Sequence, residues 1–480
     1  MRSRPRTTRT RASLATAVAT TLMLTGCSSG GDAATDETSR SAGASTSGSV
    51  YDASIVHTFA LEIEDDDFDQ MIAAYEDTGE KEWITATVTI DGETFEDVGL
   101  RLKGNSSLMS VSSDAEPTDL PWLIDLGKYV DGQDLDGYSE FVVRSNTTES
   151  ALNEAVALDL LEQAGLASEH AVASRFSVNG GEEKLRLVVQ NLDGDWDEEN
   201  FDTEGVLYKA ESGGDYSYRG DDPSAYEDVF DQETDSDEEN LEPLIEFLDF
   251  INNSDDATFA DELGDHLDVE AFATYLAFED LIGNTDDIDG PGNNSYLRYD
   301  EESGSFTVVA WDHNLAFGGF GMMGGGPGRD GEMPEGFEPP EGMERPEGFE
   351  PPEGMELPEG FDPGEVPEGF ERHGDRDGAP GRFGGSNILV ERFKADEDFN
   401  ARYEQALADL EEQLFTSGAA QEVLDEWVAV LSDQAGDLID AETLDAEAAD
   451  IEAALEDPGS AQSSAPGDTD DDADDKGRNS

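Results

Sequence analysis

Residues 283–319 read GNTDDIDGPGNNSYLRYDEESGSFTVVAWDHNLAFGG, and their polar side chains fall where a hairpin would gather them. Asp286, Asp287 and Asp289 lie in a Gly/Pro loop with Asn293 and Asn294. SYLRY (295–299) alternates as a strand, EESG makes a turn, and SFTVVAW returns to Asp312, His313 and Asn314. The open ends of a hairpin meet, so Asp289, Asn294 and Asp312 are expected to be neighbours. Several oxygen ligands around one point suit Mg2+, Mn2+ or Ca2+. An EF-hand does not fit: counted from Asp287, position 5 is Pro291 and position 12 is Arg298, where a bidentate Glu is needed. Zinc does not fit either, because the chain has five histidines and none lie at ligand spacing.

The elements that must position these groups are legible in outline. EWITATVTI (82–90), an Asp91-Gly92 turn and TFEDVGLRLKG (94–104) read as a β-hairpin. Residues 151–165 space their apolar side chains by three and four and close on a glycine, which predicts a helix. SRFSV (174–178), Asn179-Gly180-Gly181 and KLRLVVQNL (184–192) form a second hairpin, and GVLYKA (205–210) a short strand. Helices are expected over 243–253, 268–282, 396–415 and 419–436. Strands early and helices late give an α+β class.

The remaining stretches are of other kinds. Residues 1–26 carry Arg2, Arg4, Arg6, Arg9 and Arg11, then an apolar run, and end before Cys27 in Leu24-Thr25-Gly26. This reads as a secretory signal, too short to span a membrane as a helix. The ending resembles a bacterial lipoprotein signal, with Cys27 lipidated as the new N-terminus and the protein anchored on the outer face of the cell membrane. Cys27 is the chain's one cysteine, so a disulfide scaffold is excluded. Residues 27–52 read as a flexible tether, 53–320 as the first part of a folded domain and 386–455 as its C-terminal helices. Between them, 321–385 hold a Gly/Met run and P-E-G-[FM] units beginning every six residues from Pro334 to Pro358, with a further one at Pro367, which predicts a disordered insert. Residues 456–480 read as a disordered acidic tail. Against 27 basic residues stand 115 acids, a net charge of −88, and removal of residues 1–26 leaves −93. Such a surface repels nucleic acid and suits divalent cations, basic protein segments or solubility in salt.

An Asp, an Asn five residues on, a hairpin and a second Asp is also the order in which protein kinases present a catalytic base and two metal ligands. The segment resembles the CotH kinase family, the spore-coat protein H group of atypical kinases. GLRLKGNSS (99–107), DLGKYVDGQDLDGYSEFVVRSN (125–146), ALNEAVALDLLEQAGLAS (151–168), GVLYKAE (205–211), NNSYLRY with WDHNLAFGG, and NILVERFKADEDFNARYEQAL (387–407) carry the likeness in order. The resemblance implies a two-lobed, kinase-like fold with a β-rich N-lobe and a helical C-lobe. It also implies ATP- and Mg2+- (or Mn2+-) dependent phosphorylation of Ser/Thr in a protein substrate, here one with basic segments. Carried over by motif, Asp289 would be the catalytic base, and Asn294 and Asp312 the metal ligands. Arg101 and Lys103, on one face of a predicted strand, would meet the phosphates beside Gly104-Asn105-Ser106. Glu154 would hold one of those two cations, and Lys209 competes with them for the role. Three positions depart from the family pattern: Leu123 replaces a basic residue, Gln190 a glutamate, and His313-Asn314 a more acidic pair. These leave a non-catalytic surface lipoprotein on the same fold as the alternative. A polysaccharide-acting enzyme using paired carboxylates has no motif of its own here.

Overall fold

The computed structural model describes residues 49–108, 111–112, 115–211, 215–234, 240–290, 294–318 and 387–459. Cys27, the signal, nearly all of the tether, the repeat insert and the acidic tail lie outside the described residues. In chain order the elements are β1 (His57–Glu62), α1 (Asp65–Thr78), β2 (Ile84–Ile90), β3 (Glu93–Leu102), β4 (Trp122–Asp125), β5 (Glu140–Val143), α2 (Leu152–Gln163), β6 (Ala171–Val178), β7 (Lys184–Gln190), α3 (Gly194–Asn200) and β8 (Gly205–Ala210). There follow β9 (Phe230–Gln232), α4 (Glu242–Asn253), α5 (Asp256–His266), α6 (Val269–Ile282), β10 (Ser295–Asp300) and β11 (Phe306–Ala310). Four helices close the described chain: α7 (Ile388–Ala395), α8 (Glu397–Leu410), α9 (Ala419–Gln434) and α10 (Ala441–Glu456). The class is mixed α+β, with a β-rich N-terminal region and helices at the C-terminal end.

β1 to β7 close into a barrel in the order β1-β2-β3-β4-β5-β7-β6, sealed by a parallel pairing of β1 with β6. The two predicted hairpins are present, and their turns show why. Asp91 and Gly92 both have positive φ, the backbone a tight two-residue hairpin needs, and Asn179 and Gly180, also at positive φ, open the longer connection between β6 and β7. Alternation along the strands then sorts the side chains. Leu100 and Leu102 of β3, Trp122 and Ile124 of β4, and Phe141 and Val143 of β5 fill the barrel. Leu123 and Val142, between them in sequence, face out and pack with Leu207, Tyr296, Val309 and Trp311. Those belong to or follow a second sheet, β11-β10-β8-β9, so the barrel's outer wall is fastened to the sheet that ends in Asp312.

The helices complete the largest core. α6 starts on an Asp268 side-chain cap, ends on Gly283 with positive φ, and is buried on nearly every face. The expected helix over 396–415 is α8 continued by a π-helical turn, Glu411–Thr416. The C-terminal α10 reaches back to the start of α2, where the Glu447 carboxylate accepts from the backbone N–H groups of Glu149 and Ser150, each at 2.9 Å. Among the described residues no helix is long and apolar enough to cross a membrane.

One buried ion pair fixes β10. Arg298, 1% exposed, donates from Nε to Asp197 Oδ1 at 2.6 Å and from Nη2 to Asp197 Oδ2 at 3.2 Å, and lies 4.0 Å over the Phe201 ring. Gly205 leaves room for it: a Cβ there would sit 2.5 Å from the guanidinium. Removing one partner strands a buried charge, so Asp197→Ala is expected to cost about 3–5 kcal/mol in equilibrium urea unfolding. Asp197→Leu with Arg298→Met should recover most of that loss. A single-variant cost under about 0.5 kcal/mol, the scale of an ordinary surface change, would show that the pair does not fix the strand.

Candidate active site

Asp312 follows β11 and Trp311 with a left-handed backbone, φ 68°. The next residues are tied down. The Asn314 carbonyl accepts from Thr147 Oγ1 at 2.9 Å and from Asn153 Nδ2. His313 is fully buried, and its Nε2 meets Glu279 Oε1 at 3.1 Å. Burial alone would lower the imidazole pKa, but Glu279 and the more distant Glu169 and Glu154 outweigh it and raise it to about 9. The other oxygen of Glu279 accepts from Asn284 Nδ2 at 2.9 Å. One buried carboxylate on α6 therefore holds both the residue after Asp312 and the first residue of the loop leading to Asp289.

That loop is tightly wound. A Cβ at Gly290 would lie 2.6–2.7 Å from the backbone of residues 285–287, so only glycine fits. Asp287 accepts from the Asp289 N–H at 3.0 Å, and burial pushes its own carboxyl up to about 8. Asp289 Oδ1 accepts from the backbone N–H of Asn387 at 2.6 Å, just ahead of α7. Asn294 lies half-buried at the start of β10, beyond residues outside the described set.

Asp312 also meets a cation that the motif reading did not select. Arg144, directly after β5, donates from Nη2 to Asp312 Oδ1. The same guanidinium holds Glu154 of α2, with Nε to Oε2 at 3.0 Å and Nη2 to Oε1 at 2.9 Å. Burial alone would lower the Arg144 pKa, but Asp312 and Glu154 hold it above the usual arginine value. The partner of Glu154 is thus Arg144, and not Arg101, Lys103 or Lys209. Sequence periodicity gives no sign of this, because Arg144 stands at a strand end ten residues before Glu154 and not on the same helix.

The expected phosphate-binding cations do gather. Arg101 is on the outer face of β3, 5.1 Å from the Trp83 ring. Lys103 lies one residue beyond the strand, its Nζ donating to Asn191 Oδ1 and sitting 5.3 Å from the Trp311 ring. Arg144 is 5.5 Å from that same ring. Lys209 on β8 pairs with Glu211 at 3.0 Å. Burial and the neighbouring Lys209 and Arg101 charges push the Lys103 ammonium down to about 8, against opposing pulls from Glu233 and Glu140. Lys81, which the sequence reading passed over, is depressed by burial and by Lys209 and Arg101 as well. Arg101, Lys103, Lys209 and Lys81 thus converge in a chain of net charge −88. Arg101 Nε is buried with no hydrogen-bond partner among the described residues. Gly104, with φ 109°, turns the chain directly after Lys103; a Cβ there would collide with Ser107 Oγ.

The family model described as CotH kinase protein matches residues 100–447. The chain belongs to the CotH kinase family. The match runs from β3 to Glu447 and takes in every candidate named above except Cys27 and Lys81. No curated protein matches the chain. Two departures from the family pattern have structural explanations. Leu123 is buried between the barrel wall and the second sheet, where a charge would need a partner. Gln190 donates from Nε2 to Glu199 Oε2 at 3.2 Å. Among the described residues no three His, Cys, Asp or Glu side chains converge as a metal-holding group. Magnesium bound with nucleotide needs only one or two carboxylates, since phosphate oxygens and water complete its shell. Asn294 and Asp312 lie just beyond the paired Ser295 and Ala310 at one end of the sheet, and their oxygen donors suit that chemistry.

The depressed Lys103 ammonium has a consequence for anion binding. With the Lys103 ammonium held down to about 8, a phosphate anion in contact with it should bind about tenfold more weakly at pH 9 than at pH 7. Lys103→Arg keeps the charge and should flatten that profile in calorimetric titrations. Equal slopes for the two proteins would show that Lys103 does not face the ligand.

Proposed function

We propose that this CotH family member transfers the γ-phosphate of ATP to Ser/Thr hydroxyls of a surface or secreted protein. The supporting observation is the convergence of Arg101 and Lys209 on Lys103, which itself lies against Trp311, the residue that leads into Asp312. Phosphoryl transfer demands little covalent chemistry of a protein: it needs phosphates positioned and their charge neutralised. Here Arg101, through its unpartnered Nε, and Lys103 hold the phosphate oxygens, and the Gly104 turn brings backbone N–H groups to the same place. Asp312 and Asn294 would hold a divalent metal, which when bound would neutralise phosphate charge. Asp289 accepts the proton of the attacking hydroxyl. In this reading the barrel with α2 forms the nucleotide-facing lobe of a two-lobed kinase, and α4 to α10 form the other.

The acceptor in this reading is a basic protein segment, matched to the acidic surface, and nucleic acid is not a partner. Lipidation of Cys27 holds the protein on the outer face of the cell membrane. The engagement of Asp312 by Arg144 favours a second reading, a non-catalytic binding protein on the same fold, since it places a protein cation where the metal would go. Purified protein with Mg2+ or Mn2+ and labelled ATP separates the two. Transfer is expected, and Asp289→Ala and Asp312→Ala should each lower it by about two orders of magnitude or more, the scale of losing a positioned base. Transfer that survives both substitutions would place the chemistry elsewhere, and neither transfer nor nucleotide binding would support the second reading.

A further inference from the structure

Arg144 links two acidic elements unequally. Its fork makes two contacts to Glu154, at 3.0 and 2.9 Å, and one through Nη2 to Asp312. The Glu154 side chain is 6% exposed and that of Asp312 is 23% exposed, so the single contact is also the more accessible one. Asp312 has little freedom to turn away. Its left-handed backbone is followed by His313 fixed on Glu279 and by the Asn314 carbonyl fixed on Thr147 and Asn153. The long arginine side chain is the movable partner, and the Trp311 ring it lies against also carries Lys103, the neighbour of the phosphate-binding cluster. A guanidinium and a divalent cation compete for the same carboxylate oxygen.

Resting on the kinase reading above, we infer that Arg144 is a latch on the metal site. Without nucleotide it neutralises Asp312 and lowers that carboxylate's affinity for a divalent cation. When metal and a nucleoside triphosphate arrive together, Nη2 leaves Asp312, stays hinged at Glu154 through Nε, and turns along the Trp311 face to a phosphate oxygen. The exchange gives the displaced cation a new anionic partner only when phosphate is present, so metal and nucleotide bind cooperatively. By linkage each raises the other's affinity by the same factor, typically about 5- to 150-fold for coupled sites. Arg144 is thus a positioning residue that acts on the metal through Asp312.

The test measures Mn2+ binding by electron paramagnetic resonance, with and without a non-hydrolysable ATP analogue, and analogue binding by calorimetry. Arg144→Met with Glu154→Gln removes both charges, so no buried ion is stranded, and Arg144→Gln serves as a second variant with the same expectation. The natural protein should bind Mn2+ weakly alone and more tightly with the analogue. The variants should bind Mn2+ alone about tenfold more tightly and the analogue more weakly, with the coupling factor falling towards one. A merely structural role would lower both affinities together. Unchanged or weaker Mn2+ binding by the variants, with coupling intact in the natural protein, would overturn the latch and leave the kinase reading standing. A natural protein that binds neither Mn2+ nor the analogue would overturn both.

Discussion

A guanidinium held between two carboxylates joins the parts of this protein. Arg144 stands at the end of a barrel strand, Glu154 on the first turn of α2, and Asp312 at the end of the second sheet. Removing such a charge from water is costly, and only close, well-directed acceptors repay it. The barrel, helix and sheet must therefore meet in one arrangement for the group to be satisfied. Trp311 lies under the guanidinium and Lys103 meets the same ring, so the arrangement extends to the cluster of cations on the barrel wall.

Glu279 plays the matching part on the helical side. It is a buried acid on a helix otherwise covered by apolar side chains, and its two oxygens take His313 and Asn284. Against the effect of burial, Glu279 raises the imidazole pKa of His313 and so favours its protonated form against that carboxylate. The two segments that carry Asp312 and Asp289 are thereby attached to one side chain. Against a chain of net charge −88, Arg101, Lys103, Lys209 and Lys81 are concentrated in one place.

Local chemistry made much of the fold legible. Asp91-Gly92 and Asn179-Gly180 announced the hairpins because few residues accept positive φ twice in succession. Asp268 and Gly283 bounded α6 by ordinary capping. Closure of the barrel was not legible, since β1 and β6 are far apart in sequence and a period of two does not name a partner. β4 and β5, four residues each, are too short to show a period. The site was legible as far as motif order reaches, and the CotH resemblance agrees with the family match over residues 100–447. The pairing of Glu154 with Arg144, the grip of Glu279 and the presence of Lys81 among the cations depend on through-space neighbours that spacing does not encode.

In the proposed function Arg101 and Lys103 receive phosphate beside a metal held by Asp312. A crystal structure with a non-hydrolysable ATP analogue and Mn2+ tests it most directly, because the metal's anomalous signal locates it without reference to activity. The account predicts the metal at Asp312 and Asn294, and phosphate oxygens within hydrogen-bond distance of Arg101 Nε and Lys103 Nζ. A nucleotide bound away from Trp311, or a metal with no contact to Asp312, would contradict it.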